Sequence, residues 1–290
     1  MRMDRYKHTY FFNNSPNGLN DYKQTNYCVN FGFIHEFDIP AKKWPHPKAP
    51  WTMCALEIGK HHTLCIGYGY TPGGQCATFA FNPAKLDDYG HTALNVCING
   101  CLVEEMHAFK QYGHIGSAEI AIDVEGAEYF DYHYVDLQVR SSDSYFSQAG
   151  TSYLGAATSP RSIKCYSKSK ELLEKHGVAG PPILRIEATL VPTQKTKLLA
   201  MAGVNNPFAS VVVLDHGALY SYKSSGQVIK LVKLMNQGMS AQEAYRSLVE
   251  GQPADYRKSL NHHLRMCAPT WWKPSEIWTE HAPGLVDWVN

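Results

Sequence analysis

The sequence predicts an α+β fold of mainly antiparallel sheets packed against helices, with a helical C-terminal region. Three observations carry this. Runs of period-two alternation bounded by Gly, Pro and Asn recur through the first 222 residues. A single long stretch among them, His91 to about Lys110, repeats its apolar residues with the helical period. From Gly226 onward the alternation gives way to helix-length segments.

Composition narrows the class further. With 44% hydrophobic and 18% charged residues in 290, the chain has enough apolar surface to fold and to form one large domain or two. No apolar run approaches the roughly 18–20 residues of a membrane helix, and MRMDRYKHTYFFNN lacks the apolar core of a secretory signal, so no membrane partner and a cytoplasmic location are expected. The eight cysteines are scattered without a C-x-x-C pair and read as buried thiols, with no structural zinc. Net charge is +1, low for a protein that coats nucleic acid, but unevenly spread. Residues 1–150 hold 11 Lys and Arg against 16 Asp and Glu, and residues 151–290 hold 16 against 10. The C-terminal half is the better candidate to meet phosphates.

In order, residues 1–27 read as an irregular N-terminal arm with one short strand at Tyr10 to Phe12. Strand runs follow at Cys28 to Phe33 and Thr52 to Ile58, separated by a proline-rich loop. Thr63 to Tyr70 and Gln75 to Phe81 form a hairpin signal through Thr71-Pro72-Gly73-Gly74. The helix at 91–110 comes next, then the strand run Ser117 to Gly126 and an aromatic strand at Tyr129 to Val139. Later runs fall at Thr151 to Leu154, Ser162 to Tyr166, Ile183 to Val191, with Val191 to Leu199 extending or following it, and at Val211 to Leu214 and Ala218 to Tyr222. The expected division is the arm 1–27, an α+β domain 28–222 in two sheet-helix halves near 28–116 and 117–222, and a helical region 226–290.

Two of these stretches bear chemistry. In RSIKCYSKSKELLEKHGVAGPPILRIEATL, residues 161–190, Ile163 and Cys165 share one strand face and Ser162, Lys164 and Tyr166 the other. Lys164 and Lys168 flank Tyr166 at two-residue spacing. A short helix from Lys170 to His176 is closed by Gly177. The strand after it sets Leu184, Ile186, Ala188 and Leu190 against Arg185 and Glu187. In SAEIAIDVEG, residues 117–126, Ile120, Ile122 and Val124 oppose Glu119, Asp123 and Glu125, an acidic face suited either to solvent or to a hard cation such as Mg²⁺ or Mn²⁺.

Together with CATFAFNPAKL at 76–86, these stretches resemble, in order and spacing over roughly 76–190, the replication-initiator endonucleases of filamentous phages and, more distantly, plasmid rolling-circle initiators. The resemblance implies a site-specific nickase in which a tyrosine attacks a DNA phosphodiester, stays joined to the 5′ phosphate and frees a 3′ hydroxyl. It puts Tyr166 at the nucleophile position and Asp123 and Glu187 at acidic, metal-binding positions, with Glu119 where the plasmid pattern has an acid and Ala121 where the phage pattern has Arg. Lys168 is expected to assist Tyr166, and Lys164, Lys170, Arg161 and Arg185 to contact DNA. Mg²⁺ or Mn²⁺, phage or plasmid origin DNA, a host helicase and the replication machinery are the implied cofactor and partners. The phenol of a tyrosine is only about 0.1% ionised at neutral pH, so attack needs a base or a nearby cation.

Alternatives stay open on the residues alone. Tyr153 in TSYLG is a rival nucleophile. The pairs His61-His62 and His262-His263 are a poor match to a two-histidine metal site, since adjacent residues of a strand face opposite ways. A protein of the same fold that binds origin or single-stranded DNA without cutting it would use some of the 18 tyrosines and 6 tryptophans for base stacking.

Overall fold

The computed structural model describes residues 2–11, 34–35, 52–57, 63–71, 74–101, 114–138, 146–148, 150–156, 159–192 and 196–285. The architecture is α+β, and the chain divides into two compact units. One comprises residues 2–120, 190–204 and 281–290, the other 121–189 and 205–280.

The first unit is built on strands β1 (Arg2–Phe11), β2 (Ile34–His35), β3 (Thr52–Glu57), β4 (Thr63–Thr71) and β5 (Gly74–Phe81), ordered β2-β3-β4-β5-β1, with helix α1 (Asp88–Cys101) following. Their pairings are antiparallel, and the β4–β5 hairpin closes at Thr71 opposite Gly74, as the turn signal predicted. The N-terminal arm departs from expectation. Residues 2–11 are a strand whose Tyr6 to Phe11 pair with Phe81 back to Cys76. RMDRYKHTYF has no apolar alternation to announce it; β5 supplies the ladder that makes it a strand. The expected strand at Cys28 to Phe33, the proline-rich loop and the helix beyond Cys101 lie outside the described residues.

In the second unit, residues 121–125 of β6 (His114–Glu125) neighbour β11 (Ile183–Leu190), followed in order by β10 (Arg161–Ser167), β9 (Thr151–Leu154) and β8 (Phe146–Gln148). A two-stranded antiparallel ladder joins β7 (Tyr132–Asp136) to β12 (Val211–Asp215). Helix α2 (Lys168–His176) lies between β10 and β11. The C-terminal helices are α3 (His216–Ser221), α4 (Gly226–Asn236), α5 (Ala241–Val249), α6 (Ala254–Arg265) and α7 (Pro274–His281).

The C-terminal helices pack on the β7–β12 ladder. Val135 of β7 and Val212 and Leu214 of β12 form one buried cluster with Val228 and Leu231 of α4, Tyr245 of α5 and Leu260 and Leu264 of α6. Each fully buried side chain of this size contributes about 1.5–3 kcal/mol, so this cluster binds the helices to the ladder. The expected strand at Ala218 to Tyr222 is instead helix α3, because the Asp215 carboxylate accepts a hydrogen bond from Ala218 N at 2.8 Å and caps a helical turn. The strand from Ile183 stops at Leu190, just before Pro192, and the aromatic run begins with a 3₁₀ turn at Tyr129–Asp131 before β7. Cys165 and Cys267 are free and buried. Among the described residues, no helix is long and apolar enough to cross a membrane.

Candidate functional site

The polar faces of β6, β10 and β11 hold most of the candidate residues, and the alternation places them as the sequence requires. On β11, Leu184, Ile186, Ala188 and Leu190 are buried, and Glu187, on the opposite face, is half-buried. On β10, Ile163 and Cys165 are buried. Tyr166 breaks the pattern: it belongs to the polar face yet is only 6% exposed.

Tyr166 Oη donates to Glu187 Oε2 over a long 3.4 Å. The Lys164 ammonium stands over the Tyr166 ring, 4.1 Å from its centroid, a cation–π contact. Burial, followed by the nearby Glu187 charge, pushes the Tyr166 phenol well above its ordinary value, while the Arg185 guanidinium pulls against both. The phenol is therefore held protonated beside the Glu187 carboxylate.

Arg185, itself 3% exposed, donates from Nε to Asp123 Oδ1 at 2.5 Å and from Nη2 to Asp123 Oδ2 at 2.7 Å. This two-armed ion pair gives the acidic face its cation from within the protein. Both Asp123 oxygens accept from Arg185, and no group of three or more His, Cys, Asp or Glu among the described residues is placed to hold a metal ion.

Lys168 is separated from Tyr166 by the end of the strand. Ser167 Oγ accepts from Lys170 N at 3.3 Å and starts α2, so Lys168 becomes its first residue. There it donates to Glu171 Oε2 at 2.6 Å, and Lys175 donates to the other oxygen, Oε1, also at 2.6 Å. Burial would raise the Glu171 carboxyl, but the hydrogen bonds from the two lysines outweigh it and hold the group at about 2. The sequence reading passed over Glu171, although its spacing from Lys168 and Lys175, three and four residues along one helix, was the available signal. Gly177 then ends α2 with φ +66°, its N–H reaching Leu172 O and Leu173 O.

The expected DNA contacts divide in two. Lys170 is half-exposed and 3.8 Å from Glu174, a surface pair of little energetic consequence. Arg161 is turned to the protein instead: it pairs with Asp136 and donates to Pro207 O at 2.7 Å and Ser210 Oγ at 3.0 Å. Asp136, only 4% exposed, needs that partner, since it also accepts from Ser210 Oγ at 2.7 Å. Tyr153, the rival nucleophile, sits directly across from Lys164 in the β9–β10 register and is 38% exposed.

No protein-family model matches the sequence, and no curated protein matches it. Among solved structures, the chain is similar to a rolling circle replication initiator protein from Geobacillus stearothermophilus, with 12% identity and a TM-score of 0.31 over 65% of this chain and 73% of that one. A likeness at that score is too slight to assign either fold or function.

Proposed function

We propose that this chain is a rolling-circle DNA replication initiator that nicks and rejoins one strand of a phage or plasmid origin through a 5′-phosphotyrosine intermediate. The observation that carries the reading is the Tyr166–Glu187 pair, with Lys164 over the phenol ring and Arg185 beside it. The ordered resemblance of three segments to initiator endonucleases supports it. In this reading Glu187 takes the phenolic proton as Tyr166 Oη attacks the phosphorus. The bond to the 3′ oxygen breaks, and that oxygen leaves with a proton from solvent. Lys164 balances the negative charge gathering on the phenolate and phosphate. Reversal needs no ATP, because the phosphotyrosine keeps the bond energy. Lys170 is the proposed backbone contact, and Lys168 acts from its pair with Glu171. The Mg²⁺ or Mn²⁺ that the resemblance implies would be held by Asp123, Glu187 and Glu119 and would polarise the scissile phosphate; EDTA added to the nicking assay should then abolish cleavage. The partners would be a host helicase and the replication machinery in a bacterial cytoplasm.

The burial of Tyr166 favours a second reading, in which the protein binds origin or single-stranded DNA without cleaving it. Incubation with supercoiled origin DNA and Mn²⁺ or Mg²⁺ separates the two. Nicked circles with a protease-sensitive covalent adduct, absent in Tyr166→Phe and retained in Tyr153→Phe, support the nickase. A gel shift with no nicking supports the binder. Nicking by Tyr166→Phe at the unmutated level sinks the assignment of the nucleophile.

A further inference from the structure

We propose that His133 and His216 form a two-imidazole site for a transition-metal ion of the zinc class, independent of the Tyr166 reading. Two backbone features bring these residues together. The β7–β12 register sets His133 opposite Leu214, and Asp215, the last residue of β12, caps α3, whose first residue is His216. The two rings lie with centroids 4.0 Å apart and planes 40° apart. Tyr220, one turn further along α3, packs 6.2 Å from each of them.

Both Nε2 atoms are buried and have no hydrogen-bond partner. Both residues are half-buried, yet a buried imidazole nitrogen without a partner is costly, and two in adjacent rings point to a shared partner. A cation that accepts nitrogen lone pairs satisfies both at once. Imidazole selects Zn²⁺, Ni²⁺ or Cu²⁺ over the oxygen-seeking Mg²⁺ and Mn²⁺.

The pair also borders a cavity of about 590 Å³ lined in part by Tyr132, Tyr134, Ser240 and Glu243. Water from that cavity would complete the coordination, since zinc tolerates exchangeable positions beside its protein ligands. The Glu243 carboxylate is not counted as a ligand, because its Oε2 accepts from Ser240 N at 2.8 Å and Ser240 Oγ at 2.7 Å in a capping box. With two protein ligands, the expected affinity lies below that of sites with three or four.

The test is a Zn²⁺ and Co²⁺ titration of the full chain after chelator treatment, with bound metal counted by elemental analysis and the histidine ring nitrogens followed by NMR. The chain has 14 histidines and eight cysteines, so location matters as much as stoichiometry. One equivalent is expected, with the His133 and His216 Nε2 resonances moving together. His133→Gln and His216→Gln should each weaken binding at least as much as the roughly 10–100-fold that loss of an outer-shell partner costs. The proposal fails if the double variant keeps the unmutated affinity. It fails equally, without recourse to any variant, if Zn²⁺ leaves both imidazole resonances of the unmutated chain in place. Nucleosides that shift those resonances where Zn²⁺ does not would make the cavity a base pocket and overturn the metal site.

Discussion

Arg185 holds both carboxylate oxygens of Asp123, and the two partners are unequally exposed: 4% for the arginine side chain against 30% for the aspartate. Removing the aspartate leaves a guanidinium buried without its main counter-charge, whereas removing the arginine leaves a carboxylate that water can reach. Asp123→Ala is therefore expected to cost about 3 kcal/mol and Arg185→Met closer to 1 kcal/mol. Urea denaturation of both variants checks the order; equal costs would contradict the asymmetry.

Glu171 should leave a mark on acid stability. Its carboxyl lies near 4.5 unperturbed and at about 2 in the folded chain, where the lysine hydrogen bonds overcome its burial. A depressed carboxyl contributes stability above its unfolded value and loses it as pH falls from about 4.5 to 2. After solvent screening of two partly exposed pairs, the contribution is about 1 kcal/mol. Glu171→Gln should lower stability near pH 7 by that amount and match the unmutated chain near pH 2, as measured by denaturation across the acid range.

Tyr166 works in the opposite direction. Burial and Glu187 raise its ionisation above the ordinary 10.0, so its share of stability is complete below about pH 10 and is lost as pH rises through the folded value. On the nickase reading, adduct formation should accelerate with rising alkalinity as phenolate accumulates. Glu187→Gln removes both the proton acceptor and one of the groups that raise the phenol. The rate near pH 7 should then fall by 10²–10⁴-fold, while the alkaline limb of the profile shifts to lower pH. A pH profile that does not move on this substitution would separate Glu187 from Tyr166.

Helix ends offer a test of local energetics. An added Cβ at Gly177 meets no atom within 4 Å, yet the residue sits at φ +66°. Gly177→Ala should therefore cost about 1–2 kcal/mol through conformation alone. Ser240→Ala breaks the reciprocal capping box with Glu243 and should cost about 1 kcal/mol. Thermal melts of the two variants read both numbers, and a melting point unchanged by Gly177→Ala would show that the helix end relaxes out of the left-handed region.

The sequence by itself determined which residues share a face and some of the helix ends. Alternation placed Glu187 and Arg185 opposite Leu184 and Ile186, Gly177 marked the end of α2, and Ser240 with Glu243 marked the start of α5. These features depend on neighbours within a few residues, whose geometry the local period fixes. Only the tertiary structure decided partners across strands. It gave Asp123 to Arg185, turned Arg161 inward to Asp136, and buried Tyr166 on a face that its alternation with Lys164 marked as polar. It also made a strand of residues 2–11 by pairing them with β5, and set His133 beside His216 from positions 83 residues apart in the sequence. A period along one strand says which way a side chain points; what it meets depends on the register and packing of segments far away in the chain.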